Sequence, residues 1–418
     1  STQLFLNVAN KGGGIAMRDA STVVMSGVRS EGNIAVGVLS EEPSGGCVHV
    51  HTSKPDKPTR DEITTFLTVL SSHFDDCQVR ASLSSDKGSE KSSPASVGGG
   101  MLNVELERGN SIIRIENTTA LNSLVTFGNF EEKSGNGQNY QLKQSGGGAV
   151  RIVNVDGKRV AVSVVRSSFS DSSILLDYDD MENRRVEGSL VGGGTFFLST
   201  TATGSGITLK MEESDVRASS VKLGPHLKDT SASVGGGCAL ASASPSAKVE
   251  VEMKGSLMQD CAVSVIKEQA SLERFVGSGG GFFMNGEVEV ELGPAFVLNA
   301  SFSSSGGGFA CKSQESGQAV PHQKGKREKR GGSSKTSSGS IELKHGTVIS
   351  QASSLQGGSM VQMRECSLKG WKNANIVGVQ SAPDVAKENQ LVQCITAKDD
   401  GMHKKGGKGS NGERGASC

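Results

Sequence analysis

The stretch Ser145-Gly146-Gly147-Gly148-Ala149-Val150-Arg151-Ile152 decides the fold, because three glycines followed by a short apolar run recur along the whole chain. From Gly98 onward the triplets recur after 48, 46, 43, 44 and 27 residues. Self-similarity at such a period is the signature of a repeat architecture. The seven triplets begin at Gly12, Gly98, Gly146, Gly192, Gly235, Gly279 and Gly306.

A second element follows the triplets at a nearly constant distance. An apolar residue lies about 22 to 24 residues after the start of a triplet, within a run of small polar residues. Between the two elements apolar residues alternate with polar ones, as in Val160, Val162 and Val164. Such alternation predicts half-buried β-strands and no helix. The apolar anchors predicted in this way are Phe169, Val216, Leu257 and Phe302.

Strands that repeat in this way predict an all-β solenoid. We expect 22 to 24 residues to form one coil of about three strands, and about sixteen coils to form a rod on the order of 80 Å long. Glycine triplets are expected at corners that require positive φ or close approach of the backbone. Flexible linkers would not keep a constant distance to an apolar anchor. The solenoid is predicted over residues 1–398, and the Gly/Lys-rich residues 399–418 form a tail.

The repeat resembles that of the polymorphic outer-membrane proteins. That family combines a Gly-Gly-Ala-Ile type tetrapeptide with Phe-x-x-Asn, and this chain combines Gly-Gly-Gly-apolar with Phe-x-x-(Ser/Asp/Cys). The resemblance implies a right-handed parallel β-helix and a role at a cell surface. It carries over no functional residue, because the third triplet position is Gly and other residues replace the Asn. Those residues are Cys77, Ser172, Ser219, Asp260 and Ser305.

Composition narrows the classes of function. The chain has 418 residues, of which 44 are basic and 44 acidic, so we expect no nucleic-acid partner. Aromatic residues make up only 4%, which argues against a groove that stacks on sugars. No apolar run of 18 residues occurs, so no transmembrane segment is expected.

The cysteines and the sequons bear on the compartment. The eight cysteines could form extracellular disulfides, but their spacing favours small apolar residues stacked inside the coils. The two glycosylation sequons, Asn117-Thr118-Thr119 and Asn299-Ala300-Ser301, lend slight support to secretion.

Three local patterns could bind a partner or a metal. The insertion at 312–339 contains a basic run that could bind acidic glycans or an acidic protein face, although a solvated loop is the simpler interpretation. His49 and His51 could share a metal, but two surface histidines are the simpler interpretation. The acidic run 177–182 fits no calcium loop. The basic residues are Lys324, Lys326, Arg327, Lys329 and Arg330.

The functional prediction is a structural or adhesive protein. We expect a rigid spacer or filament subunit of a cell surface or extracellular assembly, without catalytic residues, cofactor or metal. Exposed solenoid ends are open sheet edges, so assembly with protein partners or end to end is expected. Two alternatives stay open: a carbohydrate-active lyase or hydrolase, which needs a groove lined by carboxylates, and an intracellular scaffold, which reduced cysteines would favour.

Overall fold

The protein is built from β-strands. The computed structural model describes residues 2–19, 22–38, 42–53, 64–82, 96–128, 144–176, 190–223, 233–265, 277–305, 307–312, 339–356, 361–363, 367–370, 374–377 and 392–394. Within these ranges the chain forms strands and no helix, and its strands pair in parallel. The predicted all-β class is therefore confirmed.

The strands of the described residues form three sheets. Sheet I contains Ile15–Arg18, Val48–Thr52, Leu102–Leu106, Val150–Asn154, Phe196–Thr200, Ala239–Ala243, Phe282–Asn285, Phe309–Lys312, Val361–Met363 and Val392–Cys394. Sheet II contains Thr22–Ser26, Thr64–Leu70, Asn110–Glu116, Arg159–Val165, Gly206–Glu212, Lys248–Lys254, Val288–Leu292, Ser340–Leu343 and Ser367–Lys369. Sheet III contains Gln3–Phe5, Val8–Ala9, Arg29–Glu31, Ile34–Val38, His73–Asp75, Gln78–Ser82, Thr119–Leu121, Leu124–Gly128, Gln144–Gly146, Ser168–Ser170, Ser173–Leu176, Leu190–Gly192, Asp215–Arg217, Ser220–Leu223, Ser233–Gly235, Leu257–Val265, Gly277–Ser278, Val297–Ser305, Val348–Ser350, Ser353–Gln356 and Asn375–Val377.

The chain visits the sheets in a fixed order. From sheet I at Val150–Asn154 it passes to sheet II at Arg159–Val165 and then to sheet III at Ser168–Ser170 and Ser173–Leu176. A short strand of sheet III, Leu190–Gly192, precedes the return to sheet I. We call one such passage a coil. Each strand pairs with its equivalent in the next coil, so the coils stack in register.

The predicted length of a coil was wrong by about a factor of two. Val150 pairs with Phe196, 46 residues later, so a coil spans the whole interval between two glycine markers. The marker and the apolar anchor lie in different sheets of one coil and do not stack on each other. In the described residues sheet I has ten strands, which at about 4.8 Å per strand gives a stack on the order of 45 Å long, against the predicted 80 Å.

The glycine markers form a column at the corner before sheet I. Gly98 pairs with Gly146, Gly146 with Gly192 and Gly192 with Gly235. The triplets at Gly12 and Gly279 begin one position later, since Lys11 and Ser278 are the residues that occupy this column. Gly306 lies outside the described residues. The position that follows this column has φ between +60° and +71°, at Gly12, Gly45, Gly99, Gly147, Gly193, Gly236 and Gly279.

Lack of space explains why the neighbouring positions are also glycine. A Cβ on Gly146 would lie 2.5 Å from the Phe197 ring, and one on Gly192 would lie 2.6 Å from Leu240 Cδ1. A Cβ on Gly148 would lie 2.0 Å from the carbonyl oxygen of Gly194 in the next coil. The first glycine therefore makes room for a side chain of the next coil, and the third lets two backbones approach.

The apolar anchors form an inward-facing column in sheet III, with two corrections. Phe169 pairs with Val216, as predicted, but Val216 pairs with Met258 and not with Leu257, which is only half-buried. Met258 in turn pairs with Leu298, while Phe302 pairs with Ala262 in a neighbouring column. A constant offset failed here because the turns between sheets I and II differ in length from coil to coil.

The position three residues after the anchor holds Asn, Cys or Ser. In the first coils it is occupied by Asn7 and Asn33, and the Asn7 side-chain amide donates to Asn33 Oδ1 at 2.8 Å. The Asn that the sequence comparison found missing is therefore present at the start of the stack. Buried residues continue this column at Cys77, Ser123, Ser172, Ser219, Cys261, Ser301 and Ala352.

Two disulfides join this column to the glycine corner across the core. Cys47 bonds to Cys77 and Cys238 bonds to Cys261, with Cα–Cα distances of 5.3 and 5.2 Å. The favoured interpretation of these cysteines as unpaired core residues was wrong. In the coil between them the equivalent positions hold Thr195 and Ser219, whose hydroxyls hydrogen bond at 2.5 Å.

Buried hydroxyls also line the corner between sheets II and III. Each donates to the carbonyl two residues earlier, as Ser167 Oγ does to Val165 O at 2.9 Å. It also accepts from a backbone N–H of the preceding coil, as Ser167 Oγ does from Thr118 N at 3.2 Å. This ladder satisfies polar backbone groups inside the stack. Its members are Ser72, Thr118, Ser167, Ser214 and Ser256.

Replacement of Gly148 by Ala should be far more costly than replacement of Gly204. Gly204 has φ +73° but nothing within 4 Å of its Cβ position, so Gly204→Ala should lower the free energy of unfolding by about 1 kcal/mol. Gly148→Ala forces two coils apart and should cost about 3 kcal/mol. Urea unfolding followed by circular dichroism measures both, and equal losses would contradict backbone crowding at this corner.

Candidate functional site

A polar cluster on sheet I is the most unusual chemical feature of the described residues. His49, Asn103 and Arg151 are direct neighbours on successive strands. Their flanking residues, such as Val48 and Val150, belong to the main core, so alternation places these three on the opposite face of the sheet. They are nevertheless buried: His49 is 5% exposed, and Asn103 and Arg151 are 0% exposed.

Arg151 organises the cluster. Its Nη1 donates to Asn103 Oδ1 and to Glu105 Oε1, each at 2.7 Å. Its Nη2 donates to the Gln144 carbonyl oxygen at 3.2 Å and to the Ser96 hydroxyl. A fully buried guanidinium requires a charged partner, and Glu105 supplies it.

The same contacts fix the protonation state of His49. Because Asn103 Oδ1 accepts from Arg151, its Nδ2 faces His49 Nδ1 and donates to it at 2.9 Å. Nδ1 is therefore the acceptor, and the neutral ring carries its proton on Nε2. Burial lowers the pKa of His49 to about 4, with Lys11 and Arg151 acting in the same direction and Glu105 against it.

Two carboxyl groups of the cluster have opposite pKa shifts. Burial raises the pKa of Glu105, but the charge and hydrogen bond of Arg151 prevail, together with the charge of His49, and bring it to about 2. Burial and the charge of Glu105 raise the pKa of Glu42, whose Oε1 accepts from Ser96 N at 3.2 Å. Opposite shifts in one cluster are the arrangement that separates an acid from a base.

Within the described residues no group of three His, Cys, Asp or Glu side chains is arranged to hold a metal ion. His49 and His51 share a face, with ring centroids 6.3 Å apart, and His51 Nε2 lies 3.4 Å from Glu107 Oε1. The interpretation as two surface histidines was wrong for His49, which is buried.

Sequence reasoning missed Arg151 and Glu105 because it took the triplet start as the origin. Counted from the glycine at positive φ, His49, Asn103 and Arg151 all lie at the same offset. The next members of this column are Phe197, Leu240 and Phe283. An alignment on that glycine would have shown a column that changes from polar to apolar along the stack.

The outward face of sheet II carries exposed ion pairs. Lys248 Nζ lies 2.7 Å from Glu250 Oε1 and 2.9 Å from Glu289 Oε2, and these hydrogen bonds raise the pKa of Lys248. Lys210 and Lys254 both pair with Glu252. Such exposed pairs contribute little to stability but keep this face soluble.

Exposed apolar residues are concentrated at the N-terminal end of the stack. The strands of the first coil are edge strands in all three sheets. Leu6 is 80% exposed, and Leu4 and Ile15 are only partly buried although they pack on the core. The other exposed large apolar residues of this coil are Phe5, Val8, Val24 and Val36.

The remaining predicted residues lie outside the described residues. The basic run with Lys324, Lys326, Arg327, Lys329 and Arg330, the acidic run 177–182 and the tail 399–418 therefore stay predictions. In the part of the chain that the structure describes, no helix is long and apolar enough to cross a bilayer.

Comparison with protein-family models, curated proteins and solved structures finds no match to this chain. The function is therefore argued from the fold and from the chemistry of its own residues.

Glu105→Gln should destabilise the protein strongly. The exchange keeps the shape of the side chain but leaves the Arg151 guanidinium buried without a counter-charge, at a cost of about 3 kcal/mol. The matched control is Glu289→Gln, because Glu289 is 52% exposed and pairs with Lys248. That exchange should cost less than about 1 kcal/mol. Chemical denaturation at neutral pH measures both, and a small loss for Glu105→Gln would show that Arg151 does not depend on it.

Stability should decline as the pH falls from about 6.5 to about 4. In this window unfolded His49 takes up a proton and the buried, neutral His49 does not, so the free energy of unfolding drops by an amount on the order of 3 kcal/mol. His49→Gln should flatten this part of the curve, whereas His345→Gln, at an exposed position, should keep it. Urea denaturation at a series of pH values measures the slopes; identical slopes for the two variants would contradict the buried neutral ring.

Proposed function

We propose that the chain is a right-handed parallel β-helix that acts as a rigid structural or adhesive element of a cell surface or extracellular assembly. The carrying observation is the pair of disulfides at equivalent positions of two coils, Cys47–Cys77 and Cys238–Cys261. Disulfides form and persist in oxidising compartments. Cys311 is disulfide-bonded as well. These bonds favour an extracellular role over an intracellular scaffold.

The order of the sheets supports the β-helix. A connection between parallel strands of one sheet is right-handed in nearly all proteins, and here each coil is such a connection. The Asn7–Asn33 pair supports the resemblance to the polymorphic outer-membrane repeats, since it occupies the position of their Asn. A stack with a continuous core and in-register sheets resists bending, as a spacer must.

The N-terminal end supports assembly. Its edge strands present unpaired backbone groups next to exposed apolar side chains such as Phe5, Leu6 and Val24. Open edges of this kind pair with further strands. We therefore expect the end of the stack to pack against another β-structure, end to end or in a larger complex. Acidic glycans or acidic proteins stay the proposed partners of the basic run at 324–330.

Low-resolution imaging of the purified protein tests this role. We expect short rods about 45 Å long in the stacking direction, since the described part of sheet I holds ten strands, and strings of such rods where ends associate. Phe5→Ser together with Leu6→Ser should reduce the strings and leave the rods. Compact globules without a long axis would contradict the proposal.

Replacement of one disulfide by the natural hydrogen-bonded pair tests its role in the stack. Cys238→Thr with Cys261→Ser reproduces the chemistry of Thr195 and Ser219 at the same positions. The variant should fold but lose about 3 kcal/mol of unfolding free energy, since the closed loop spans 23 residues. Intact mass before and after reduction verifies the bond, and unchanged stability would contradict its contribution.

A carbohydrate-active enzyme is the second candidate, favoured by the opposite pKa shifts of Glu42 and Glu105 in one cluster. Glycoside hydrolysis needs one protonated and one ionised carboxyl group. Pectin-like and host glycans are the substrates to assay. Activity that Glu42→Gln abolishes and Glu289→Gln keeps would support this candidate, and an inactive unmodified chain would count against it.

A further inference from the structure

Asn117 begins the sequon Asn117-Thr118-Thr119 and lies at an exposed corner of the stack. The corner joins the sheet II strand Asn110–Glu116 to the sheet III strand Thr119–Leu121. Asn117 has φ +48°, a conformation that asparagine tolerates better than most residues. Its backbone N–H donates to Val165 O at 3.1 Å, and its side-chain amide has no hydrogen-bond partner among the described residues.

The neighbouring coils leave space around this amide. The equivalent corner residues are Ser71 on one side and Arg166 on the other, and both are exposed at positive φ. Arg166 is directed to Glu116 by an ion pair and so does not engage Asn117. Because Thr118 is buried in the hydroxyl ladder, the corner is fixed from the inside while Asn117 faces solvent.

The second sequon, Asn299-Ala300-Ser301, is in a different setting. Asn299 lies within the strand Val297–Ser305 and is only partly exposed. Its Oδ1 accepts a hydrogen bond from Ser350 Oγ at 2.9 Å, and Ser301 is fully buried. A large polar substituent on Asn299 would break this contact between two coils, whereas one on Asn117 would extend into solvent.

We propose that Asn117 is a site of N-glycosylation and that Asn299 is not. The inference rests on the proposed extracellular role, because the modification takes place on secreted chains. The Asn117 amide nitrogen attacks the anomeric carbon of a lipid-diphosphate-linked oligosaccharide. An N–C bond forms as the anomeric C–O bond breaks, the lipid diphosphate leaves with the electron pair, and the amide proton passes to a base of the transferase.

The glycan would modify one edge of the rod. The corner column that holds Asn117 runs along the stack beside the ion-paired face of sheet II, where Arg114 and Arg166 both contact Glu116. A bulky hydrophilic group there shields the exposed Ile112 and prevents lateral association of rods at this edge. It leaves the ends of the stack free, which is compatible with assembly end to end.

Secretion of the full chain from a eukaryotic cell, directed by a signal peptide, tests the site. We expect a single added glycan that peptide-N-glycosidase releases, leaving Asp at position 117 in the peptide map. Asn117→Gln and Thr119→Ala should lose the entire added mass. Thr119→Ser, which preserves the sequon, and Asn299→Gln should both keep it.

Disulfide mapping of the same samples separates the two levels of the proposal. A secreted protein with the Cys47–Cys77 bond but with an unmodified Asn117 would overturn the site and leave the extracellular role intact. Loss of the glycan in Asn299→Gln would also overturn it. A retained chain with free thiols at Cys47 and Cys77 would overturn both. Loss in Thr119→Ala with the bond intact cannot come from misfolding.

Discussion

The structure depends on backbone hydrogen bonds between equivalent residues of successive coils. They make residues some 46 positions apart, such as Val150 and Phe196, direct neighbours at about 4.8 Å. Every position of the repeat therefore stands in a column whose members must be compatible with one another. Small corners admit glycine, inward positions hold apolar side chains, and the buried corner before sheet III holds hydroxyls that hydrogen bond along the stack.

Column chemistry also produced the features that bear on function. At one cross-core position the same pair of sites holds a disulfide in two coils and a Thr–Ser hydrogen bond in another, so the constraint is on contact and not on residue type. At the outward column of sheet I the residues change from His49, Asn103 and Arg151 to Phe197 and beyond. A buried ion pair with Glu105 makes the polar half rigid, which suits a structural element.

Alternation and glycine spacing were sufficient to predict an all-β chain and most of its strand positions, because both depend on local backbone geometry. The length of the coil could not be obtained in this way. A marker and an anchor some 23 residues apart are consistent with one coil or with half of one, and only pairing distinguishes the two. Leu257 and Phe302 were misassigned for a related reason: turn lengths between sheets vary, and an offset cannot follow them.

By itself the sequence determined the repeat, the strand character and the glycine corners, since each residue there is constrained by its own φ, ψ and neighbours. Tertiary structure decided which columns face inward, which cysteines meet, and that Arg151 is buried beside Glu105 and Asn103. It also decided that one sequon asparagine is exposed at a corner and the other is bonded to the next coil. These outcomes depend on contacts between coils, which lie dozens of residues apart in the chain and leave no local pattern.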